Sequence, residues 1–116
     1  MMEKISIFQN NKKVVFSVKR VSFFGKFSGL MLRTRHTKRL LFDFKTEKIR
    51  AMHSFFVFFS FLILWLDKDK NVIDKEIVKP FRTRVVPNKR FRYAVEIPMN
   101  KENKKIISLF VEKRKI

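Results

Sequence analysis

The chain has no cysteine, which removes disulfide scaffolds, thiolate metal sites and cysteine nucleophiles together. Its two glycines, Gly25 and Gly29, leave no phosphate-cradling glycine loop and no nucleophile elbow. Histidine is equally scarce, with only His36 and His53. Acidic residues are few: 10 Asp and Glu stand against 28 Lys and Arg, a formal charge of +18. A balanced surface network of Lys and Glu cannot account for such an excess. There is no internal repeat and no sustained 3.6-residue apolar stripe. Enzyme chemistry therefore has little to work with, and a catalytic role is not expected. No metal site and no cofactor is expected either.

What is present is apolar and aromatic. Hydrophobic residues make up 46% of 116 residues and Phe alone accounts for 15, so a disordered basic tail is the wrong class. One domain over residues 1–116 fits this length, with the basic end 112–116 frayed. Such a chain buries roughly 65% of its extended surface, enough for a core without staples. Residues 51–66 are the apolar run that a membrane helix would need. That span would rise only about 24 Å as a helix, short of the roughly 30 Å hydrocarbon core. Its Phe and β-branched residues favour strand, so two buried strands joined at Ser60 are expected and a membrane partner is not. The N-terminal residues carry no stretch of signal-peptide length, and a cytoplasmic location is expected.

Alternation places the strands. Val14, Phe16 and Val18 alternate with Ser17 and Lys19, and Gln9-Asn10-Asn11-Lys12 suits a hairpin turn from a strand near 5–8. Residues 40–44 form a short strand followed by a charged loop over 45–50. Asp67-Lys68-Asp69-Lys70-Asn71 is a turn, with a return strand over 72–79. Phe91, Tyr93, Val95 and Ile97 share one face, opposite Arg90 and Arg92, and Pro98 ends the strand. Ile107, Leu109 and Val111 alternate as a last strand. The expected fold is mainly β, a small sandwich, jelly-roll-like or barrel-like domain with at most one or two short helical turns.

Several stretches together carry a resemblance: Gly29-Leu30-Met31-Leu32-Arg33, Leu40-Leu41-Phe42-Asp43-Phe44, Met52-His53-Ser54-Phe55-Phe56 leading to Leu66-Asp67-Lys68-Asp69, Pro80-Phe81-Arg82, and Tyr93-Ala94-Val95-Glu96-Ile97-Pro98. In order and spacing they resemble the family catalogued as domain of unknown function 192, in its archaeal form, over about residues 14–111. The resemblance implies a compact mainly β domain of unsettled function. It also implies departures. Where the family has Met, then Pro, then Asp, this chain has Val57, Ser60 and Leu62, and the glycine of the hairpin turn is replaced by Lys70 or Asn71. A site that depended on that carboxylate cannot operate here in the same way.

Two sets of candidate site residues follow. Arg33, His53 and Ser54 are expected to line a small polar pocket, with Arg33 offering a fixed fork to an anion or carboxylate and His53 needing a partner inside an apolar strand. Arg35, Lys38, Arg39, Arg82, Arg84, Lys89, Arg90 and Arg92 form a candidate basic patch for nucleic acid or another polyanion. Asp67, Asp69 and Asn71 imitate a calcium loop, but Val72 and Val78 stand where such a loop needs Gly and Glu. Two readings stand. One is a binding or structural module with an unidentified ligand, self-associating as a homodimer through surplus apolar surface. The other is a sequence-independent polyanion binder driven by charge.

Overall fold

The computed structural model describes residues 2–21, 39–48, 60–79, 87 and 89–111. Six strands and one helix are found among them: β1 (Met2–Gln9), β2 (Lys12–Val21), β3 (Leu40–Lys48), β4 (Phe61–Leu66), β5 (Val72–Val78), β6 (Phe91–Pro98) and α1 (Lys104–Phe110). The strands form one sheet in the order β1-β2-β3-β6-β4-β5. The β2–β3 pairing is parallel, and every other neighbouring pair is antiparallel.

Asn10 and Asn11, at φ 51° and 66°, make the tight turn between β1 and β2, and Gln9 pairs with Lys12 across it. Asn tolerates this left-handed backbone better than most residues, which is why the turn sits there. The second hairpin turns through residues 67–71. Asp67 Oδ1 accepts the backbone N–H groups of Asp69 and Asn71, each at 2.9 Å. Lys70, at φ 66°, takes the left-handed position of this turn.

The sheet curls into a half-barrel. At its seam Phe8 bridges to Asn71, and Phe8 N–H donates to Lys70 O at 3.0 Å. Inside the curl, Ile5, Ile7, Phe16, Val18, Leu41, Leu62, Leu64, Leu66, Tyr93, Val95 and Ile97 pack with Ile107 and Phe110 of α1. The other face gathers Leu40, Phe42, Phe61, Ile63, Trp65, Val78, Phe91 and Ala94. All six residues of β4 are buried, as its uninterrupted apolar sequence requires. Leu62, where the family's carboxylate would stand, lies inside the curl. The interior of this chain is apolar there.

The mainly β reading holds, in its barrel-like form: the described strands make a single curled sheet. Of residues 51–66, only 60–66 are described, and Phe61–Leu66 are strand; 51–59 lie outside the described residues. No helix among the described residues is long and apolar enough to cross a membrane. Three local expectations are corrected. First, β3 runs on to Lys48, through most of the expected charged loop. Second, Phe91 and Tyr93 belong to opposite clusters, because the β3–β6 register shifts between Asp43 and Lys48 and breaks the alternation. Third, the expected last strand is α1. Ile107 and Phe110, three apart, are buried, while Leu109 is exposed. Helical spacing wins because one short turn suffices to cover the interior of the curl, and alternation over five residues cannot separate the two periods.

Candidate functional site

At the rim of the curl the inward-facing positions change from apolar to charged. Glu3 continues the phase of Ile5 and Ile7 on β1, Arg20 that of Phe16 and Val18 on β2, and Asp43 that of Leu41 on β3. Alternation sends these residues to the inner face just beyond the core. Their charges join strand to strand. Arg20 Nη2 donates to Glu3 Oε1 at 2.9 Å and Arg20 Nη1 to Asp43 Oδ2 at 3.2 Å. Arg92 Nε on β6 donates to Asp43 Oδ1 at 3.2 Å. The resulting chain Glu3–Arg20–Asp43–Arg92 spans four neighbouring strands. Asp43 is its anchor, with a side chain only 9% exposed between two guanidinium groups.

Beside the Glu3–Arg20 end of this chain lies a cavity of about 290 Å³, lined by Glu3, Lys4, Arg20, Asp69 and Lys70 together with Ile5, Ser6, Phe8 and Leu41. The Tyr93 ring carries Lys70 Nζ at 5.2 Å and the Arg92 guanidinium at 5.0 Å from its centroid, both cation–π distances. The hydrogen bond to Glu3 is the main cause holding the Arg20 guanidinium above its ordinary pKa, against the opposing effect of burial. The bond to Asp43 does the same for Arg92. These groups keep their charge throughout the ordinary pH range and fix the donors in place.

Arg33, His53, Ser54, Arg35, Lys38, Arg82 and Arg84 lie outside the described residues. Of the remaining candidates, Lys89 and Arg90 are exposed, next in sequence to Arg92 on the rim. Arg39 stands apart from them. Its Nε donates to Ser17 O at 2.7 Å and its Nη1 to Asn103 Oδ1 at 2.6 Å, and its guanidinium lies 5.7 Å from the Phe16 centroid. It fastens the start of α1 to β2. Sequence reasoning passed over Glu3, Arg20, Lys4 and Lys70. The signal was available for two of them: a charged residue in phase with a strand's apolar face, one step beyond its last apolar member.

Three buried polar groups complete the picture. Asn103 is fully engaged: its Nδ2 donates to Pro98 O at 2.9 Å and its N–H to Asn100 Oδ1 at 3.0 Å. Glu96 is 6% exposed and pairs in register with Leu40 and Ile63, on the face away from the rim cavity. Burial pushes its carboxyl up to about 8. Trp65, opposite Ala94, has a buried Nε1 with no hydrogen-bond partner among the described residues. Among the described residues no three His, Asp or Glu side chains converge as a metal site would require.

The comparisons with known proteins agree with the fold. The sequence model of DUF192, an uncharacterised ACR family, matches residues 7–108. A UPF0127 protein of Pyrococcus abyssi is 32% identical over 79 residues, which cover 67% of each chain. A UPF0127 protein of Thermococcus sibiricus is 32% identical over 80 residues, 67% of this chain and 51% of that one. The matched stretch thus spans two thirds of one relative and half of the other. Among solved structures, a Sinorhizobium meliloti protein described as a candidate transcription regulator superposes with a TM-score of 0.75 at 17% identity, covering 91% of this chain and 86% of that one. A protein of unknown function from Novosphingobium aromaticivorans gives 0.74 at 14% identity, covering 90% and 78%. At such identities the structures speak for the fold alone. The matched span takes in the end of β1, the other five strands and most of α1, and the chain belongs to the DUF192 family, a family of unknown function.

Proposed function

We propose that this protein is a non-catalytic binding module that takes a small anionic solute, a carboxylate or phosphate, in the rim cavity. The observation that carries the reading is the placement of Lys4, Arg20 and Lys70 around one cavity, with Arg20 held by Glu3 and Asp43. Pre-placed donors lose little freedom when an anion arrives. Arg20 and Arg92 are held above their ordinary pKa by their carboxylate partners, and Glu96, whose carboxyl is tuned near neutrality, faces away from the cavity. That favours binding over proton transfer. Titration with inorganic phosphate and with succinate, followed by amide chemical shifts, tests it. Shifts confined to the rim and weakened in Lys4→Ala and Lys70→Ala are expected. Absence of saturable shifts with both anions would overturn it.

A second reading, electrostatic and sequence-independent binding of nucleic acid, is favoured by the +18 charge and by exposed Lys89 and Arg90 beside Arg92. Anisotropy with mixed-sequence duplex separates the two: binding that falls steeply with salt is its signature. A cytoplasmic location belongs to both proposals, since nucleic acid and small anions are plentiful there, and cell fractionation tests it. Self-association rests on a narrower footing. Of the described Phe side chains only Phe8 reaches 36% exposure, with Val15, Ile77 and Leu109 the other large exposed apolar residues. Light scattering at high concentration is its test.

A further inference from the structure

Between β5 and α1 lies a second cavity, an apolar trough of about 400 Å³. Ile77 forms one wall, and Met99, Ile107 and Val111 form the other. Ile107 belongs to the core inside the curl, and Met99 and Val111 pack against it. Ile77 is 41% exposed, so the core reaches solvent here through an open slot. One end of the slot is tied: Lys75 Nζ, on β5, donates to Phe110 O at the end of α1 and to Gln9 Oε1. At the other end, where α1 begins, Lys101 and Lys104 line the trough itself. Neither makes an ion pair with a described residue. The acidic neighbours are turned away. Asp74 and Glu76 alternate with Lys75 and Ile77, which puts them on the opposite face of β5. Glu102, although exposed beside Lys101, does not line the trough.

The slot is therefore polarised, with cations at one end, hydrocarbon along its length and a strand–helix tie at the other. A lysine lays its own methylenes along an apolar wall and leaves its charge at the edge. A ligand matching both parts has an anionic head for the two ammonium groups and an apolar chain for the slot. α1 is about 10 Å long, and the cavity sits near the lower end of the roughly 300–1,000 Å³ usual for small-molecule sites. Both set the chain at medium length. A second copy of this protein would bring another +18 to the same surface and be repelled. We propose that the trough binds a free single-chain amphiphile, a medium-chain carboxylate, with its head at Lys101 and Lys104 and its chain against Ile77, Met99 and Ile107. The trough and the rim cavity share no described lining residue, and each can fail without the other.

The probe is decanoate, kept below the concentration at which it forms micelles, titrated into the whole chain and followed by methyl and amide chemical shifts. One saturable site is expected, with shifts centred on Ile77, Met99, Ile107 and Val111. Affinity should rise about threefold to fourfold for each methylene added between hexanoate and decanoate, the factor a buried methylene carries. Lys101→Ser with Lys104→Ser should weaken decanoate about fivefold or more. Lys89→Ser with Arg90→Ser removes the same charge at the far end of β6 and should change it by less than about twofold. All four residues are exposed, so both variants keep the fold, and circular dichroism checks that. Ile77→Ser, which opens one wall, should weaken decanoate about tenfold. Four results would overturn the proposal. They are no saturable site for decanoate, equal affinity for decyltrimethylammonium, or equal losses in the two charge variants, which would mark attraction by net charge alone. The fourth is the same set of shifts with phosphatidylserine vesicles in place of decanoate, which would assign the trough to a membrane surface.

Discussion

Arg39 Nη1 donates to Asn103 Oδ1 at 2.6 Å, joining residues 64 apart in sequence. Asn103 precedes α1, and its own Nδ2 reaches back to Pro98 O. The side chain therefore holds the helix to the end of β6 and to the β2–β3 crossing at once. Asn103→Ala leaves the Arg39 guanidinium short of an acceptor and the Pro98 carbonyl short of a donor. A loss of about 2 kcal/mol is expected in denaturant unfolding. Amide exchange should accelerate in α1 before it does in β6. Uniform acceleration across the sheet would contradict the latch.

Glu96 ties stability to pH. Its carboxyl is raised to about 8 by burial, whereas in the unfolded chain it titrates near the ordinary carboxylate value. Between those two values the folded protein holds a proton that the unfolded chain has released. Stability from this group is thus full below the unfolded pKa and falls as pH rises through the window, levelling off above about 8. Glu96→Gln keeps the shape and removes the ionisation. Its unfolding free energy is expected to exceed wild type at pH 8 and to match it near pH 4, as measured by urea titration at the two pH values.

Asp43 should matter more than Arg20 or Arg92. Its side chain is 9% exposed, whereas those of Arg20 and Arg92 are 44% and 32% exposed. Asp43→Asn removes the shared anion and leaves two guanidinium groups facing one another. A cost of about 1–2 kcal/mol is expected. Arg20→Met, which takes away an exposed partner, is expected to cost less than about 1 kcal/mol. A double-mutant cycle between the two positions should give a favourable coupling that shrinks with added salt.

Lys70 offers a pair of substitutions with opposite signs. Its φ of 66° strains a side-chain-bearing residue by about 1 kcal/mol, and its Nζ lies 5.2 Å from the Tyr93 centroid. Lys70→Gly relieves the strain and loses the cation, so the midpoint of unfolding should rise slightly. Lys70→Ala keeps the strain and loses the cation, so the midpoint should fall. Both should weaken phosphate at the rim.

The strands were legible wherever one face is buried and the other wet. The alternation around Phe16 and the pair Asn10-Asn11 located the first hairpin, and the charge cluster over 67–71 located the second. β4 was legible only as an apolar run, since a strand buried on both faces has no period to read. The helix was not legible. Seven residues of α1 present only two buried side chains, Ile107 and Phe110, and its capping residue works through Arg39, far away in the chain. The rim was missed for a related reason: Glu3, Arg20 and Asp43 lie on three strands, and only the curl of the sheet brings their charges together. Arg33, His53 and Ser54, read from motif resemblance, lie outside the described residues.

Among the described residues, the bridge between Phe8 and Asn71 is the one strand pairing between the two borders of the sheet, with the Lys75–Gln9 side-chain bond beside it. Elsewhere each strand is laced to its neighbour over several consecutive pairs. Thermal opening should therefore begin at this closure, as a zip parts from its last tooth. The Phe8 amide, bonded to Lys70 O, would trade its hydrogen for solvent deuterium well ahead of amides in the middle of β6. Disturbances at the 67–71 turn would then be felt first by the opposite margin of the molecule, at the far end of β1, with the central strands left undisturbed.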